Sequence, residues 1–124
     1  MTIVNNGGTI NKVSGLSIEE EQRAKDFLQG LVYCWCKNKS GKKFAARDLV
    51  GAENTDWNGT PLQRLYYKHT KAGASEDEAY GKAAIDVGWL LKRVIEDDRR
   101  KFKLIDGPMV NHYQWDGELG EGED

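Results

Sequence analysis

Two cysteines one residue apart, Cys34-Trp35-Cys36, and two histidines, His69 and His112, are the side chains in this sequence most suited to chemistry. Thiolates and imidazoles ligate zinc, and a thiolate held by an imidazole is a nucleophile. Zinc sites, however, space their cysteines by two or more residues and draw a second pair from elsewhere. On a helix, positions 34 and 36 lie about 160° apart, so one ion cannot reach both while the helix is intact. A nucleophilic pair would need Cys34 or Cys36 set against His69 or His112 with an orienting third group, and no local pattern places them so. Gly7-Gly8 is not followed by a helix opening on Lys-Ser/Thr, so it is no phosphate-cradling loop. The expectation is a non-enzymatic chain with no catalytic residue, no metal and no cofactor.

Charge and aromatic residues offer binding chemistry instead. Basic residues cluster at Lys37, Lys39, Lys42, Lys43 and Arg47, and again at Lys92, Arg93, Arg99, Arg100, Lys101 and Lys103. Lys42, Lys43, Arg47, Arg99, Arg100, Lys101 and Lys103 are the candidate phosphate contacts; the plainer alternative is a set of solvated faces and helix ends. Trp89 is a second kind of candidate. It lies off the apolar stripe of its helix, beside Lys82, Ile85 and Arg93. Either another segment covers it, or Trp89 with Lys82 and Arg93 forms a patch for a protein partner. Gly81 and Gly88, seven apart on one helical face, suggest the close approach of another backbone.

The elements that would position these residues are well signalled. Ser17-Ile18-Glu19-Glu20 is a capping box, and it opens a helix ending around Lys37 to Gly41. Ala24, Phe27, Leu28, Leu31 and Trp35 fall within about 100° of its circumference, the width of a core-facing stripe. An extended step at Lys43–Phe44 leads into one or two helical turns closing at Gly51. Thr60-Pro61 starts another helix, with Leu62, Leu65 and Tyr66 on its buried face. Ser75-Glu76-Asp77-Glu78, a second capping box, opens the longest helix, which runs to about Arg99. Its apolar face is Ala79, Ala83, Ala84, Val87, Leu90, Leu91, Val94 and Ile95. The period then changes: Lys101–Ile105 alternates, Asp106-Gly107-Pro108 turns the chain, and Met109–Trp115 reads as a second strand. The fold class is therefore α+β, mostly helical, one domain over 16–115 with a C-terminal β-hairpin. It carries a flexible arm over 1–15 and a disordered acidic tail over 116–124.

Helix, extended step, helical turn, inserted helix, long helix and hairpin occur in an order that resembles a winged helix-turn-helix domain, with Phe44–Val50, Ser75–Arg100 and Phe102–Trp115 as its later part. The chain departs from that family between its second and third helices, where residues 51–74 replace a short turn. The resemblance implies duplex DNA as partner, bound through the basic flank and the hairpin. The long helix is poorly suited to base readout, because Glu76, Asp77 and Glu78 stand at the end that would enter the groove and Lys82 is the one cationic reader nearby. The expected function is a small nucleic-acid-associated or regulatory protein. The alternative is a protein-binding adaptor or inhibitor on the same scaffold. The small, feature-poor sequence also resembles phage or prophage proteins, and a homodimer is compatible with either function.

Composition narrows the class further. The chain has 124 residues, 39% hydrophobic and 31% charged, with a net charge of −2. That suits one globular domain. The charge is uneven: five of the 20 acids lie in 116–124, which leaves 18 bases against 15 acids, or +3, over 1–115. Such tails solvate the chain, or shield a basic surface. No stretch of 18 apolar residues is present, so no membrane association is expected. The N-terminus has no basic region followed by an apolar one, and two cysteines make no disulfide framework. The expected location is cytoplasmic.

Overall fold

The computed structural model describes residues 12–51, 56–105 and 111–119. Four helices and a two-stranded antiparallel hairpin follow one another in an α+β arrangement: α1 (Ile18–Asn38), α2 (Ala46–Val50), α3 (Gln63–Lys71), α4 (Glu76–Asp97), β1 (Arg100–Ile105) and β2 (His112–Leu119). No helix among the described residues is long and apolar enough to cross a membrane.

Both long helices begin where a serine can satisfy first-turn N–H groups. The Ser17 hydroxyl accepts from the Glu20 N–H at 3.0 Å, and the Glu20 carboxylate accepts from the Ser17 N–H at 2.9 Å. Ser75 and Glu78 repeat the exchange at 3.2 and 3.3 Å. In each box the serine N–H is the main reason the glutamate is held below the usual carboxylate range. The start of α3 is less regular. Thr60 and Pro61 do not open it: they lie in a turn, where the Thr60 hydroxyl accepts from the Leu62 N–H at 3.2 Å, and the helix begins at Gln63 with Leu62, not Thr60, at the N-cap and no side-chain cap.

Helix α4 is the spine of the core. Ala79, Ala83, Val87, Leu90, Leu91, Val94 and Ile95 are all buried, as the stripe predicts, whereas Ala84 is exposed at its edge. Against this face pack α1, Leu62 and Leu65, and a cluster of Phe44, Phe102 and Tyr113. The face of α1 differs from expectation. Ala24, Leu28, Val32 and Cys36 are buried, while Phe27, Leu31 and Trp35 lie on the flank, a rotation of about 60°. Trp35 is the cause: its indole N–H donates to the Lys42 carbonyl at 3.0 Å and its ring tilts against Phe44, 5.6 Å between centroids. This holds the large side chain at the edge and gives the helix–helix contact to Val32 and Cys36.

The hairpin pairs Phe102 with Trp115 and Ile105 with His112. Its second strand is described from His112 and runs to Leu119, into the stretch read as tail. Phe44 adds an isolated antiparallel bridge to Tyr113, with N–H···O bonds of 2.8 Å in both directions. The extended step after α1 thus joins β2 on the side away from β1. Nor is the arm free where it is described. Val13 is 6% exposed in the core, and the Lys68 ammonium donates to the Ser14 carbonyl. Gly15 has φ +84°, and a Cβ there would meet Lys68 at 3.0 Å. Residues 1–11 of the arm, the expected turn at Asp106-Gly107-Pro108 with Met109 and Val110 of the expected strand, and residues 120–124 of the tail lie outside the described residues.

Candidate partner-binding groove

Of the residues singled out from the sequence, Trp89, Lys82 and Arg93, the structure sets Trp89 in a groove. Between α2, α4 and the start of β2 runs a groove of about 370 Å³. Ala45 and Ala46 form one wall, and Ala84, Ile85, Gly88 and Trp89 the other. Tyr113 closes one side; burial pushes its phenol up to about 12, so this wall stays neutral. Arg47 and Lys92 add positive charge to the lining. Lys92 also reaches over the Trp89 ring, its Nζ 5.6 Å from the centroid.

Two features keep the groove open. Ala45, Ala46 and Ala84 carry minimal side chains, and Gly88 carries none. A Cβ built at Gly88 meets nothing within 4 Å, and the same holds at Gly81. The close backbone approach expected at these glycines is therefore not found; at Gly88 the missing side chain leaves room in the groove. Ile85, 62% exposed, stands at the edge as an uncovered β-branched side chain.

Trp89 is half-buried and lies between two clefts. On one side it lines the groove. On the other it shares a smaller cleft with Lys12 and Val13 of the arm and with Arg93. Lys82 and Arg93 are both exposed, but neither lines the groove.

The candidate phosphate contacts are dispersed. Lys42, Lys43 and Arg47 are exposed near α2, and Lys101 is exposed on β1. Arg99 is exposed and engaged in an interaction of its own. Arg100 is committed elsewhere. Its guanidinium bonds both oxygens of Asp98 at 3.0 and 3.1 Å and lies 4.6 Å from the Tyr33 centroid and 5.2 Å from that of Trp115. The Asp98 side chain is only 1% exposed and also accepts from Gln29 at 2.7 Å. Such a charge is structural. Lys103 pairs with Asp116 at 3.2 Å, an exposed ion pair of little strength. Two of the three lysines and arginines of the hairpin strands thus already face carboxylates.

The residues first considered for catalysis are also separated in character. Cys34 is exposed and Cys36 buried, as positions on opposite sides of a helix require. Burial pushes the Cys36 thiol up to about 11, away from the thiolate that nucleophilic attack needs. His69 binds Asp86, Nε2 to Oδ2 2.7 Å, and Lys68 reaches the same oxygen at 2.9 Å, so this trio ties α3 to α4. His112 opens β2.

Sequence reasoning missed the alanine wall and Tyr113. Alanines in a short helix and a tyrosine in an alternating strand carry no local sign of facing one another. Gly88 was the available signal, and its absent side chain admitted either a backbone or an empty groove. Comparison with protein-family models, curated proteins and solved structures finds no match.

Proposed function

We propose that this chain is a small non-enzymatic adaptor or inhibitor that holds a segment of a protein partner in the α2–α4 groove. The occupant is a peptide segment with an apolar anchor and flanking carboxylates. The observation that carries this reading is the pairing of an apolar wall, at Ile85, Gly88 and Trp89, with Arg47 and Lys92 in the same lining. Apolar anchors in a desolvated pocket supply most interface energy, and charge at the rim selects and steers the partner.

The nucleic-acid reading keeps one specific support. The Phe44–Tyr113 bridge places the step after α1 beside the hairpin, as a winged-helix sheet would, with Lys42, Lys43 and Arg47 exposed next to it. Against it stand the neutralised Arg100 and Lys103 and the acidic first turn of α4.

Selection of a random 12-residue peptide library on the full chain, counter-selected on Gly88→Leu, tests the proposal. The expected result is enrichment of peptides with a large apolar residue and Asp or Glu within a few positions, whose binding weakens on Arg47→Glu. Enrichment of basic peptides, or equal binding to Gly88→Leu, overturns it. So does a gel shift of duplex DNA whose affinity falls with salt by about −0.9 in log K per phosphate contact, which would favour the nucleic-acid reading.

A further inference from the structure

A second cleft, on the far side of α3, is lined very differently. It has a volume of about 320 Å³ and lies between residues 56–58, α3 and the beginning of α4. Tyr66, Tyr67, Tyr80 and Trp57 supply aromatic surface, and Asp56 and Glu76 supply carboxylates; among the described residues neither lysine nor arginine contributes to the lining. We propose that this cleft binds an organic cation, an alkylated ammonium group held against the tyrosines with its charge answered by Asp56 and Glu76.

The aromatic surface is organised rather than scattered. Tyr66 is the centre, with its ring centroid 4.5 Å from that of Tyr80 and 5.9 Å from that of Tyr67, at tilts of 39° and 54°. Gln63 positions one edge, its amide nitrogen donating to the Tyr67 oxygen at 3.0 Å and to the Asn58 side chain. Trp57, 7% exposed, is fixed by its indole N–H donating to the Val50 carbonyl at 3.0 Å. Burial and then the neighbouring Glu76 carboxylate push the Tyr66 phenol above its ordinary range.

The chemistry selects the ligand. Aromatic faces are electron-rich and attract cations, and a weakly hydrated alkylated ammonium leaves water for them at less cost than a compact ion does. An anion would meet two carboxylates and no base. A neutral apolar group of the same shape would gain the ring contacts but not the charge. The shared chemistry could be delivered by a free small molecule or by a methylated lysine of a partner chain.

The test is titration of the full chain with choline, with N-acetyl-trimethyl-lysine amide, and with 3,3-dimethylbutan-1-ol, the neutral isostere of choline, followed by amide and indole N–H chemical shifts. The expected result is saturable shifts at the Trp57 indole and at residues of α3 for the cations, several-fold tighter than for the alcohol. Whichever cation binds more tightly identifies the source. Tyr66→Leu should weaken binding about fivefold, the effect of one cation–π contact. Should that variant fail to fold, Glu76→Gln and Tyr67→Leu, at exposed positions, provide the same reading. Equal response to the alcohol, no saturable shift up to about 20 mM, beyond the millimolar range, or unchanged binding in Glu76→Gln together with Tyr67→Leu each overturn the proposal.

Discussion

Replacing Gly88 by alanine is the most direct probe of whether the α2–α4 groove is open. Gly88 lies within α4, four residues from both Ala84 and Lys92, and a Cβ there meets no atom within 4 Å. The substitution therefore adds a methyl group without a clash and removes the helix penalty of glycine, worth about 0.8–1.0 kcal/mol. Gly81 is the internal control. It lies in the same helix with the same open surroundings, but it does not line the groove. Both variants should gain about 1 kcal/mol in urea melts, with unchanged m-values. For a domain of this length that corresponds to about 3–6 °C in thermal midpoint. If Gly88→Ala loses stability while Gly81→Ala gains it, the groove is occupied by the chain itself. The reasoning from an empty floor then fails, and with it the proposed docking site. Loss in both variants would show that this face of α4 is covered, as the glycine spacing alone had suggested.

Leu91, 1% exposed at the centre of the core, should cost on the order of 2–5 kcal/mol when truncated to alanine, measured by denaturant melts. Arg100→Ala should cost about 3–5 kcal/mol, because Asp98 at 1% exposure is left without its cation, whereas Lys103→Ala should fall within about 1 kcal/mol, since its partner is exposed; similar losses in the two variants would contradict the structural role of Arg100. Alkaline pH should destabilise the fold. Cys36 and Tyr113 titrate higher when folded than unfolded, from 9.0 to about 11 and from 10.0 to about 12, so the folded state holds more protons. Their contribution is full below pH 9 and is lost as pH rises through about 9–12, and melts of Cys36→Ala should show a shallower decline over that window.

Much of the framework was legible in the sequence because its signals are local. The boxes at Ser17 and Ser75 each involve side chains three residues from the N–H groups they satisfy, and those distances are fixed by helix geometry alone. The stripe of α4 was read almost residue for residue, because a helix carrying so many apolar side chains on one face has one way to bury them. The change of period after Arg100 announced the hairpin, and Gly51 with φ 84° closed α2 where expected.

What the sequence left open depends on how segments meet in space. The rotation of α1 was decided by Trp35, which met Phe44 and the Lys42 carbonyl only once the chain had turned back at Gly41. Arg100 read as a cation available to phosphate. The structure gives it Asp98 as an ion pair and the rings of Tyr33 and Trp115, and Gln29, 69 residues away, completes the bonding of Asp98. The groove and the tyrosine cleft were likewise invisible, since each is a space between elements. Composition and periodicity determine which side chains must leave water and in what local geometry; where two elements leave a gap, and which charges are already answered, is settled only when the elements meet.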